Sequence, residues 1–456
     1  MKKTDRILII DTPKHVDEQI LINGWVDRIR THGKLAFMDV RDRSGSIQVV
    51  VNAKVSEEAF KTASELHPEY AIVLEGKVNK RPENAVNKDL ATGTIEFEAI
   101  EITIIGKSEI TPFDTTKPTL NLELPTLLDY RSLTLKHPRT QMIFKVQAAL
   151  AEEFRKAAEA LDCTEIFVPT IAAGATEGGS EVFQLDYYGH KAFMTQSPQL
   201  YKQIMVGVLE RVFTIAKAYR AEPSVTTRHL AEATQMDVEI AFVRDFTELL
   251  DALEFVGTSM IKNVSKKYSV VLNEFEVEIP LVPTKVPRLT LREAQKIVTE
   301  RTGRDLSKEM DLNPEDEKEI CLWAKEEQKS DFVTITHFPT KKRAFYTMPD
   351  PENPEYSLSY DLLFRGLEIL SGSQRIHDYD QLVKAMKAKD VDPKNFGMYL
   401  QAFQFGMPPE GGFSFGLERL TMKLLELSNV REASLFPRDM ERVDERFSVQ
   451  KESQKD

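Results

Sequence analysis

Cysteine is scarce in this 456-residue sequence. Only Cys163 and Cys321 are present, and they lie far apart with no C-x-x-C spacing and no histidine cluster near them. This usage argues against a disulfide framework or a cysteine-bound metal, and two reduced thiols in a cytoplasmic protein are expected. Long apolar runs are also missing, so no membrane span is expected, and the first residues lack the pattern of a signal peptide.

Repeats and the common phosphate-binding motifs are missing too. The sequence contains no internal repeat, no P-loop and no convincing G-x-G-x-x-G. Its formal net charge is -12, whereas contacts to nucleic-acid phosphates need lysine and arginine. Binding of nucleic acid would therefore require a local basic surface. Lys77, Lys80, Arg81 and Lys88 form one candidate cluster, although such clusters are more often simply solvated.

The length and composition are typical of a globular protein with more than one domain. Apolar residues make up 41% of the sequence and charged residues 29%. A chain of 456 residues usually divides into two or three folding units. We therefore expect separate domains, each with its own core.

Residues 17–107 show the pattern of a small barrel. Five short segments of alternating apolar and polar residues are separated by glycine, proline and asparagine, and a helical segment interrupts them at 55–66. An OB-fold barrel over residues 1–107 is the preferred prediction, while an SH3-like barrel or a strand sandwich stays open on pattern alone. Residues 108–136 are rich in proline and lack periodicity, which predicts a linker or hinge.

The remainder, residues 137–456, has an α+β pattern. Apolar residues recur at helical spacing between Ile143 and Leu161, which predicts an amphipathic helix over 141–160. Apolar strands then alternate with helices, which are expected at 245–267, 380–388, 393–405 and 416–426. This order favours a mixed, mainly antiparallel sheet flanked by helices, with the proline-rich and charged stretch 280–350 as an insertion.

Charged residues in this second domain are grouped in separate blocks. One strand is predicted to present Arg220 and Glu222 on one face, and the next to present Asp237 and Glu239 on one face. A charged surface hairpin explains this block equally well when it is taken alone. In another block, Ser197, Gln199 and Lys202 stand at a junction between a strand and a helix.

Two further blocks suit a nucleotide with a metal ion. Asp361 and Glu368 precede a small-residue turn containing Ser371, and paired carboxylates provide the oxygen ligands that Mg²⁺ prefers. Arg375 lies inside an apolar strand, which favours a role in binding an anion over a surface ion pair. A glycine pair precedes the helix that carries Arg419, and helix N-termini attract phosphate. Jointly these blocks indicate a site for ATP and a metal.

In this order, the blocks resemble the three signature motifs of class II aminoacyl-tRNA synthetases, and in particular the shorter, archaeal-type aspartyl-tRNA synthetases. Motif 1 would be the helix ending near Leu161 with the strand to Pro169, and motif 2 would run from Phe213 to Glu239. Motif 3 would be GGFSFGLERL, while TQSPQLYKQ is similar to the amino-acid-binding signature of the family. The resemblance implies an N-terminal OB-fold anticodon-binding domain, a class II catalytic domain, and a homodimer formed through motif 1.

The same resemblance implies roles for individual residues. Arg220 and Arg419 would be catalytic. The residues that would bind ATP are Arg220, Glu222, His229, Glu368, Ser371, Gly416 and Arg419. Asp361 and Glu368 would bind Mg²⁺. The residues that would bind aspartate are Glu177, Ser197, Gln199, Lys202, Asp237 and Arg375, with Lys202 and Arg375 on its side-chain carboxylate. The residues that would contact the tRNA anticodon are Arg30, Phe37, Gln48 and Glu83. For Phe37, strand alternation alone favours a place in the barrel core.

The implied activity is aspartate–tRNA ligation, in which L-aspartate is activated with ATP and transferred to tRNA(Asp), and in some members also to tRNA(Asn). An asparaginyl-tRNA synthetase is the nearest alternative, but that family has an acidic residue at the position of Lys202. A non-enzymatic relative would have no need of Arg220, Asp361, Glu368 and Arg419 together. Departures from the family pattern are Asp162 with Cys163 in motif 1, Ala233 at a position that often stacks on adenine, and Asp27 at a position linked to tRNA choice.

Overall fold

The protein consists of two structural units, with the boundary between Leu124 and Pro125. The computed structural model describes residues 6–88, 90–174, 181–223 and 226–447. None of the helices within these ranges is both long and apolar enough to span a membrane. The unit boundary lies inside the segment predicted to be a linker.

The first unit is built on a closed five-stranded barrel, as predicted for an OB-fold. Its strands pair in the order β1-β2-β3-β5-β4, and the β3–β5 pair is parallel. The elements are β1 (Gln19–His32), β2 (Leu35–Arg41), β3 (Ser46–Asn52), α1 (Glu57–Ser64), β4 (Ala71–Lys80) and β5 (Ile95–Gly106). The helix α1 occupies the place between the third and fourth strands that the sequence indicated.

Strand alternation decides which side chains fill this barrel. Along β2, Ala36, Met38 and Val40 are buried, while Phe37 and Asp39 lie on the outer face. Because successive side chains of a strand point to opposite faces, Phe37 cannot share the core with Met38. The interpretation of Phe37 as a core residue is therefore wrong.

The second unit contains helices on a mixed sheet. Its first elements are α2 (Leu124–Asp129), α3 (Arg131–Thr134), α4 (Pro138–Ala160), β6 (Thr164–Glu165), β7 (Ile171–Ala172), β8 (Gln184–Tyr187), β9 (His190–Met194), α5 (Gln199–Leu209), β10 (Arg211–Tyr219), β11 (Glu232–Ala241), α6 (Phe246–Lys267) and α7 (Ser269–Glu274). Its later elements are β12 (Arg288–Thr290), α8 (Leu291–Thr302), α9 (Pro314–Gln328), β13 (Phe332–Thr336), β14 (Ser359–Phe364), β15 (Glu368–Gln374), α10 (Tyr379–Ala388), α11 (Gly397–Gln404), β16 (Glu410–Gly416) and α12 (Leu417–Leu424).

The main sheet has eight strands in the order β12-β13-β14-β15-β16-β11-β10-β6. The five pairs from β13 to β10 are antiparallel, and the two outermost pairs are parallel. The sheet is thus mixed and mainly antiparallel, as predicted. However, β12 and β13 come from the stretch 280–350, so this stretch completes the sheet and is more than a surface insertion.

Three helices cover one face of the sheet and form its main core. Buried residues of α4 recur at the predicted spacing, from Ile143 through Leu150 to Phe154, and they pack with apolar residues of α6 and α12. The helix α6 is capped at its N-terminus by Asp245, whose carboxylate accepts hydrogen bonds from two backbone amides of the first turn. After α4, Asp162 adopts φ 59°, a conformation that favours glycine at a helix end.

The second half of the predicted linker is part of the second unit. Residues 124–134 form the short helices α2 and α3, and Arg131 is buried. Its guanidinium donates hydrogen bonds to the backbone carbonyls of Glu432, Ser434 and Leu435. These bonds tie the segment to the C-terminal part of the chain, which a pattern of prolines could not indicate.

Candidate functional site

A cavity of about 410 Å³ lies over the central strands of the main sheet. It is lined by residues from β10, β11, β15, β16 and the start of α5. The predicted site residues that line it are Ser197, Gln199, Lys202, Arg220, Glu222, His229, Asp237, Glu368, Ser371, Arg375, Gly416 and Arg419. Thus residues spread over more than 200 positions of sequence meet in one place. Glu177, also predicted for this site, lies outside the described residues.

Two buried cations stand on one side of this cavity. The exposed fractions of Lys202 and Arg375 are 1% and 4%. Lys202 Nζ lies 2.8 Å from Asp237 Oδ1 and 3.0 Å from Glu239 Oε2, and Arg375 Nε donates to Glu239 Oε1 at 2.7 Å. Asp237 and Glu239 point to the same side of β11 because they are two residues apart. The cations are therefore balanced by two buried carboxylates.

Glu239 is a residue whose importance the sequence only hinted at. It was recognised as sharing a face with Asp237, but no binding role was predicted for it. Gly412 on the neighbouring strand β16 lies so close that any Cβ there would overlap Val238 O and the Glu239 carboxylate. Glycine at this position is what allows the buried carboxylate to fit.

A second group of cations stands near the ends of β10 and β15. Arg220 follows β10 directly, so it belongs to the loop and not to the strand as predicted, and its Nη1 lies 3.6 Å from Glu222 Oε1. Arg419 Nη1 lies 3.6 Å from Glu368 Oε2. Burial, followed by the charge of Arg419, lowers the pKa of His229 below its ordinary value. His229 is therefore a neutral imidazole at pH 7.

The two carboxylates predicted to bind metal lie on neighbouring strands. Asp361 on β14 is paired in register with Ser371 on β15, and Glu368 begins β15. Asp361 does not line the cavity, although Glu368 does. Burial, together with the nearby charge of Asp361, raises the pKa of Glu368 to about 7. A group with this raised pKa is well suited to losing its proton when a cation arrives.

Arg343 binds one of these carboxylates, Asp361, and was not predicted. Its Nη2 donates to Asp361 Oδ2 at 2.8 Å, and its Nη1 donates to Ser371 Oγ at 3.1 Å. Asp361 Oδ1, by contrast, is buried without a hydrogen-bond partner in the part of the chain that the structure describes. Arg343 lies in the stretch 280–350, where no sequence motif marks it. Arg343 reaches the site only because the connection between the antiparallel strands β13 and β14 turns back over β14.

Glu317 is a second unpredicted residue from the same stretch. Its carboxylate lies 3.3 Å from Arg228 Nη1 and accepts a hydrogen bond of 3.2 Å from the backbone N–H of Glu368. Burial raises the pKa of Glu317 above its ordinary value. The helix α9 therefore supports both a cavity-lining arginine and the strand that carries Glu368.

The barrel presents a separate candidate surface on its outer face. In the register of β1, β2 and β3, Arg30 pairs with Phe37, and Gln48 pairs with Asp39. Residues paired in this way lie on one face, so Arg30, Phe37 and Gln48 are near one another. Arg81 reaches the same face, where its Nη2 donates to Gln48 Oε1 at 2.6 Å. Glu83 is exposed in a short 3-10 helix just beyond Arg81.

Asp27 lies beside a bulge of β1, where its carboxylate contacts Arg41. Arg41 is buried and also binds Glu69 at 2.8 Å. Burial raises the pKa of Asp27 to about 6, against the lowering effect of Arg41. Asp27, which the sequence resemblance links to tRNA choice, is thus held in a partly buried charge cluster.

Comparison with known proteins places both units in families. Residues 123–440 match the model of class II tRNA synthetases (D, K and N), and residues 20–105 match the OB-fold nucleic acid binding domain. The aspartate–tRNA(Asp/Asn) ligase of Thermus thermophilus is 40% identical, with 96% of this chain and 99% of that protein covered. The aspartate–tRNA(Asp) ligase of Pyrococcus horikoshii is 38% identical, with 93% and 96% covered.

Solved structures agree with this fold over nearly the whole chain. An asparaginyl-tRNA synthetase from Pyrococcus horikoshii, complexed with asparaginyl-adenylate, superposes with a TM-score of 0.87 at 28% identity, covering 97% of this chain and 100% of that one. An aspartyl-tRNA synthetase from Entamoeba histolytica gives 0.85 at 27% identity, covering 97% and 93%. The chain therefore belongs to the class II tRNA synthetases, among the aspartate–tRNA ligases that its sequence relatives represent.

Proposed function

We propose that this protein is an aspartate–tRNA ligase, which activates L-aspartate with ATP and transfers it to the 3′ end of tRNA(Asp). The observation that carries the proposal is the pair of buried cations, Lys202 and Arg375, in the same cavity as Arg220 and Arg419. The first pair suits the side-chain carboxylate of aspartate, and the second suits phosphate. The relatives from Thermus and Pyrococcus are named for this activity.

Selection of aspartate over asparagine follows from the charges around Lys202 and Arg375. A carboxylate accepts charge-assisted hydrogen bonds from both cations, whereas a neutral amide leaves buried charge poorly satisfied. Gln199 lines the same side of the cavity, and its Nε2 is a buried donor without a partner among the residues described. This amide, with Ser197, would hold the backbone of aspartate, and Asp237 would face its ammonium.

The ATP phosphates would lie against Arg220 and Arg419, with Gly416 at the start of α12. Glu222 and neutral His229 line the same side, and they would contact the nucleotide. Arginine suits this role because its planar guanidinium can hold two phosphate oxygens at once. Ala233 also lines the cavity and has no ring to stack on adenine.

Mg²⁺ is the metal that fits this donor set. Asp361 Oδ1 is buried without a hydrogen-bond partner among the described residues, and Glu368 readily becomes a carboxylate near neutral pH. No group of three or more metal-binding side chains occurs in those residues, so phosphate oxygens and water would complete the shell. Bound there, Mg²⁺ would neutralise developing phosphate charge.

The chemistry needs no nucleophile from the protein. The α-carboxylate of aspartate attacks the α-phosphorus of ATP, pyrophosphate leaves, and a mixed anhydride forms. The terminal ribose hydroxyl of tRNA then attacks the carbonyl carbon of that anhydride, and AMP leaves. Arg220 would stabilise the charge that builds on the α-phosphate, and the residues around Lys202 would keep the two reactants aligned.

A homodimer and a cytoplasmic location are part of the proposal. The exposed fraction of Phe167 is 90%, and this residue follows the edge strand β6 in the segment that resembles motif 1. A bulky apolar residue beside an unpaired sheet edge is typical of an interface, and a second copy of the chain would cover it. The cytoplasmic location rests on the proposed activity, because ATP and tRNA are used there.

Aminoacylation of transcribed tRNAs tests the function. Labelled aspartate and labelled asparagine are each offered with ATP, Mg²⁺ and either tRNA(Asp) or tRNA(Asn). Aspartate on tRNA(Asp) is the expected result, and aspartate on both tRNAs would identify an enzyme with relaxed tRNA choice. Charging with asparagine, or no charging at all, would overturn the proposal.

The outer face of the barrel is proposed to bind the anticodon, with Arg30, Gln48 and Glu83 around Phe37. Replacing Phe37 with alanine is expected to raise the KM for tRNA about tenfold, because base stacking on an aromatic ring contributes about 1–3 kcal/mol. Aspartate-dependent ATP–pyrophosphate exchange without tRNA should stay unchanged. The matched control is Ile105→Ala, which removes an exposed apolar side chain from β5. A normal KM for tRNA in the Phe37 variant would contradict the assignment.

Glu317 is expected to favour ATP binding indirectly, by holding Arg228 and the backbone of Glu368 in place. Glu317→Ala removes the acceptor for Arg228 and for the Glu368 amide, and it should raise the KM for ATP about tenfold with little change for aspartate. Glu317→Gln keeps a hydrogen-bond acceptor and should lie near the wild type. Glu319→Ala on the same helix is the control, since Glu319 pairs with Arg301. An unchanged KM for ATP in a folded Glu317→Ala protein would refute this role.

A further inference from the structure

Glu410, the first residue of β16, is completely buried and has no role in the site described above. Its Oε1 accepts a hydrogen bond of 2.6 Å from Gln203 Nε2. Its other oxygen, Oε2, receives no hydrogen bond from any donor among the described residues. The carboxyl group of Glu239 is in hydrogen-bonding contact with that of Glu410. Strand pairing agrees with this contact, because Glu239 is paired with Gly412, which lies two residues from Glu410 on the same face of the sheet.

Two buried carboxyl groups in such contact must share a proton. When both are ionised, each offers only acceptors, and their charges repel in a medium of low polarity. One of the pair must therefore be a neutral acid that donates to the other. The surroundings of the two groups decide which one holds the proton.

Lys202 and Arg375 form ion pairs with Glu239, whereas no ion pair to Glu410 occurs among the described residues. Glu239 receives Arg375 Nε at 2.7 Å and lies 3.0 Å from Lys202 Nζ. Although burial acts in the opposite direction, Arg375 and Lys202 hold the pKa of Glu239 down to about 2. Burial, with the nearby charge of Glu239, raises the pKa of Glu410 well above its ordinary value. Glu239 is thus the anion and Glu410 the acid.

A chain of hydrogen bonds agrees with this assignment and indicates which oxygen of Glu410 would carry the proton. The hydroxyl of Tyr399 donates to Gln203 Oε1 at 3.1 Å, so the amide nitrogen of Gln203 faces Glu410. Gln203 Nε2 therefore donates to Glu410 Oε1, which must be an acceptor. The proton of a neutral Glu410 then belongs on Oε2, which has no hydrogen-bond partner among the described residues. A neutral Glu410 can in addition donate to the carboxylate of Glu239, whereas an ionised Glu410 has no proton to donate there.

We propose that Glu410 is a specificity-determining positioning residue: a neutral carboxylic acid that donates a hydrogen bond to Glu239 and so holds this carboxylate against Arg375 and Lys202. The inference rests on the proposed aspartate pocket. With Glu410 neutral, two cations face two carboxylates, Asp237 and Glu239, and a substrate carboxylate is accepted. An ionised Glu410 would add a third negative charge and would favour a neutral amide in place of aspartate.

Three variants test this by ATP–pyrophosphate exchange with aspartate and with asparagine. In Glu410→Gln, the amide oxygen can accept from Gln203 and the amide nitrogen can donate to Glu239, which mimics the neutral acid. Its KM for aspartate and its preference for aspartate should lie within about twofold of the wild type. Glu410→Ala leaves buried groups unsatisfied, and its KM for aspartate should rise about tenfold or more, with an unchanged KM for ATP. Glu254→Gln, which alters a buried glutamate bound to Arg288, is the matched control.

Two results would overturn the proposal. If Glu410 is ionised, Glu410→Gln removes a negative charge and lowers the KM for aspartate severalfold. If Glu410 does not position Glu239, Glu410→Ala binds aspartate normally.

Infrared difference spectroscopy of the full-length protein provides a readout that needs no substrate. The spectrum of the wild type minus Glu410→Gln should contain the carbonyl band of a protonated carboxyl group at neutral pH, and its absence would refute the neutral acid. A wild type that shows this band but does not activate aspartate would refute the proposed function and leave the neutral acid intact.

Discussion

Replacing Arg375 with methionine is expected to lower kcat/KM for aspartate about a thousandfold. Arg375 is buried and binds Glu239 through Nε and Nη2, so its loss removes a cation from the pocket and leaves a buried carboxylate poorly paired. Truncating one partner of a buried charge pair costs about 2–5 kcal/mol of binding free energy, a range that includes this factor. Aspartate-dependent ATP–pyrophosphate exchange, measured over a range of aspartate concentrations, gives the result.

The control must separate loss of recognition from loss of stability. Arg288→Met breaks another arginine–glutamate pair, in which Arg288 Nε lies 2.8 Å from Glu254 Oε1 outside the cavity. This variant should be less stable to urea but should keep its KM for aspartate within about twofold. Arg375→Lys retains the charge and should recover part of the activity. An Arg375→Met protein with normal kcat/KM for aspartate would show that this cation does not bind the substrate.

Replacing Arg220 with alanine is expected to lower kcat for adenylate formation about 100- to 1000-fold. The side chain is 44% exposed, so its removal should change the free energy of unfolding little. We expect the change in kcat because Arg220 would stabilise the charge that develops on the phosphate in the transition state. Removing one such donor raises the activation free energy by about 2.7–4 kcal/mol. Rapid quenching of single turnovers measures formation of aspartyl-adenylate directly.

Arg244→Ala is the matched control for this experiment. Arg244 is an arginine with a side chain 85% exposed, and it pairs with Glu248 away from the cavity. Its removal should leave both kcat and KM unchanged. If Arg220→Ala instead raises the KM for ATP at an unchanged kcat, Arg220 binds ATP in the ground state and is not catalytic.

Residue type and spacing were sufficient to predict several of the charged residues that line the cavity. Strand alternation placed Asp237 and Glu239 on one face, and the apolar strand around Arg375 favoured a role in binding an anion. Such inferences succeed because they depend on neighbours in the same strand or helix. The resemblance to a family then connected blocks that are distant in sequence.

The residues that were missed act across long sequence separations. Arg343 reaches Asp361 only because the chain turns back over β14, and Glu317 reaches Arg228 only because α9 packs against the sheet. Neither belongs to a motif, and each looks like an ordinary charged residue in a polar stretch. Their importance follows from the residues that they contact. Periodic patterns in a sequence report neighbours along the chain, so they cannot predict contacts between distant segments.

By itself, the sequence determined the two-domain order, the barrel, the mainly antiparallel sheet and the identity of the charged residues for the site. These features follow from alternation, helical spacing and turn residues, which are local properties of the chain. Only the tertiary structure decided that the stretch 280–350 completes the sheet, that Phe37 faces outward, and that Glu410 meets Glu239. The register between strands and the burial of a charge depend on packing, and these decide which carboxyl group holds a proton.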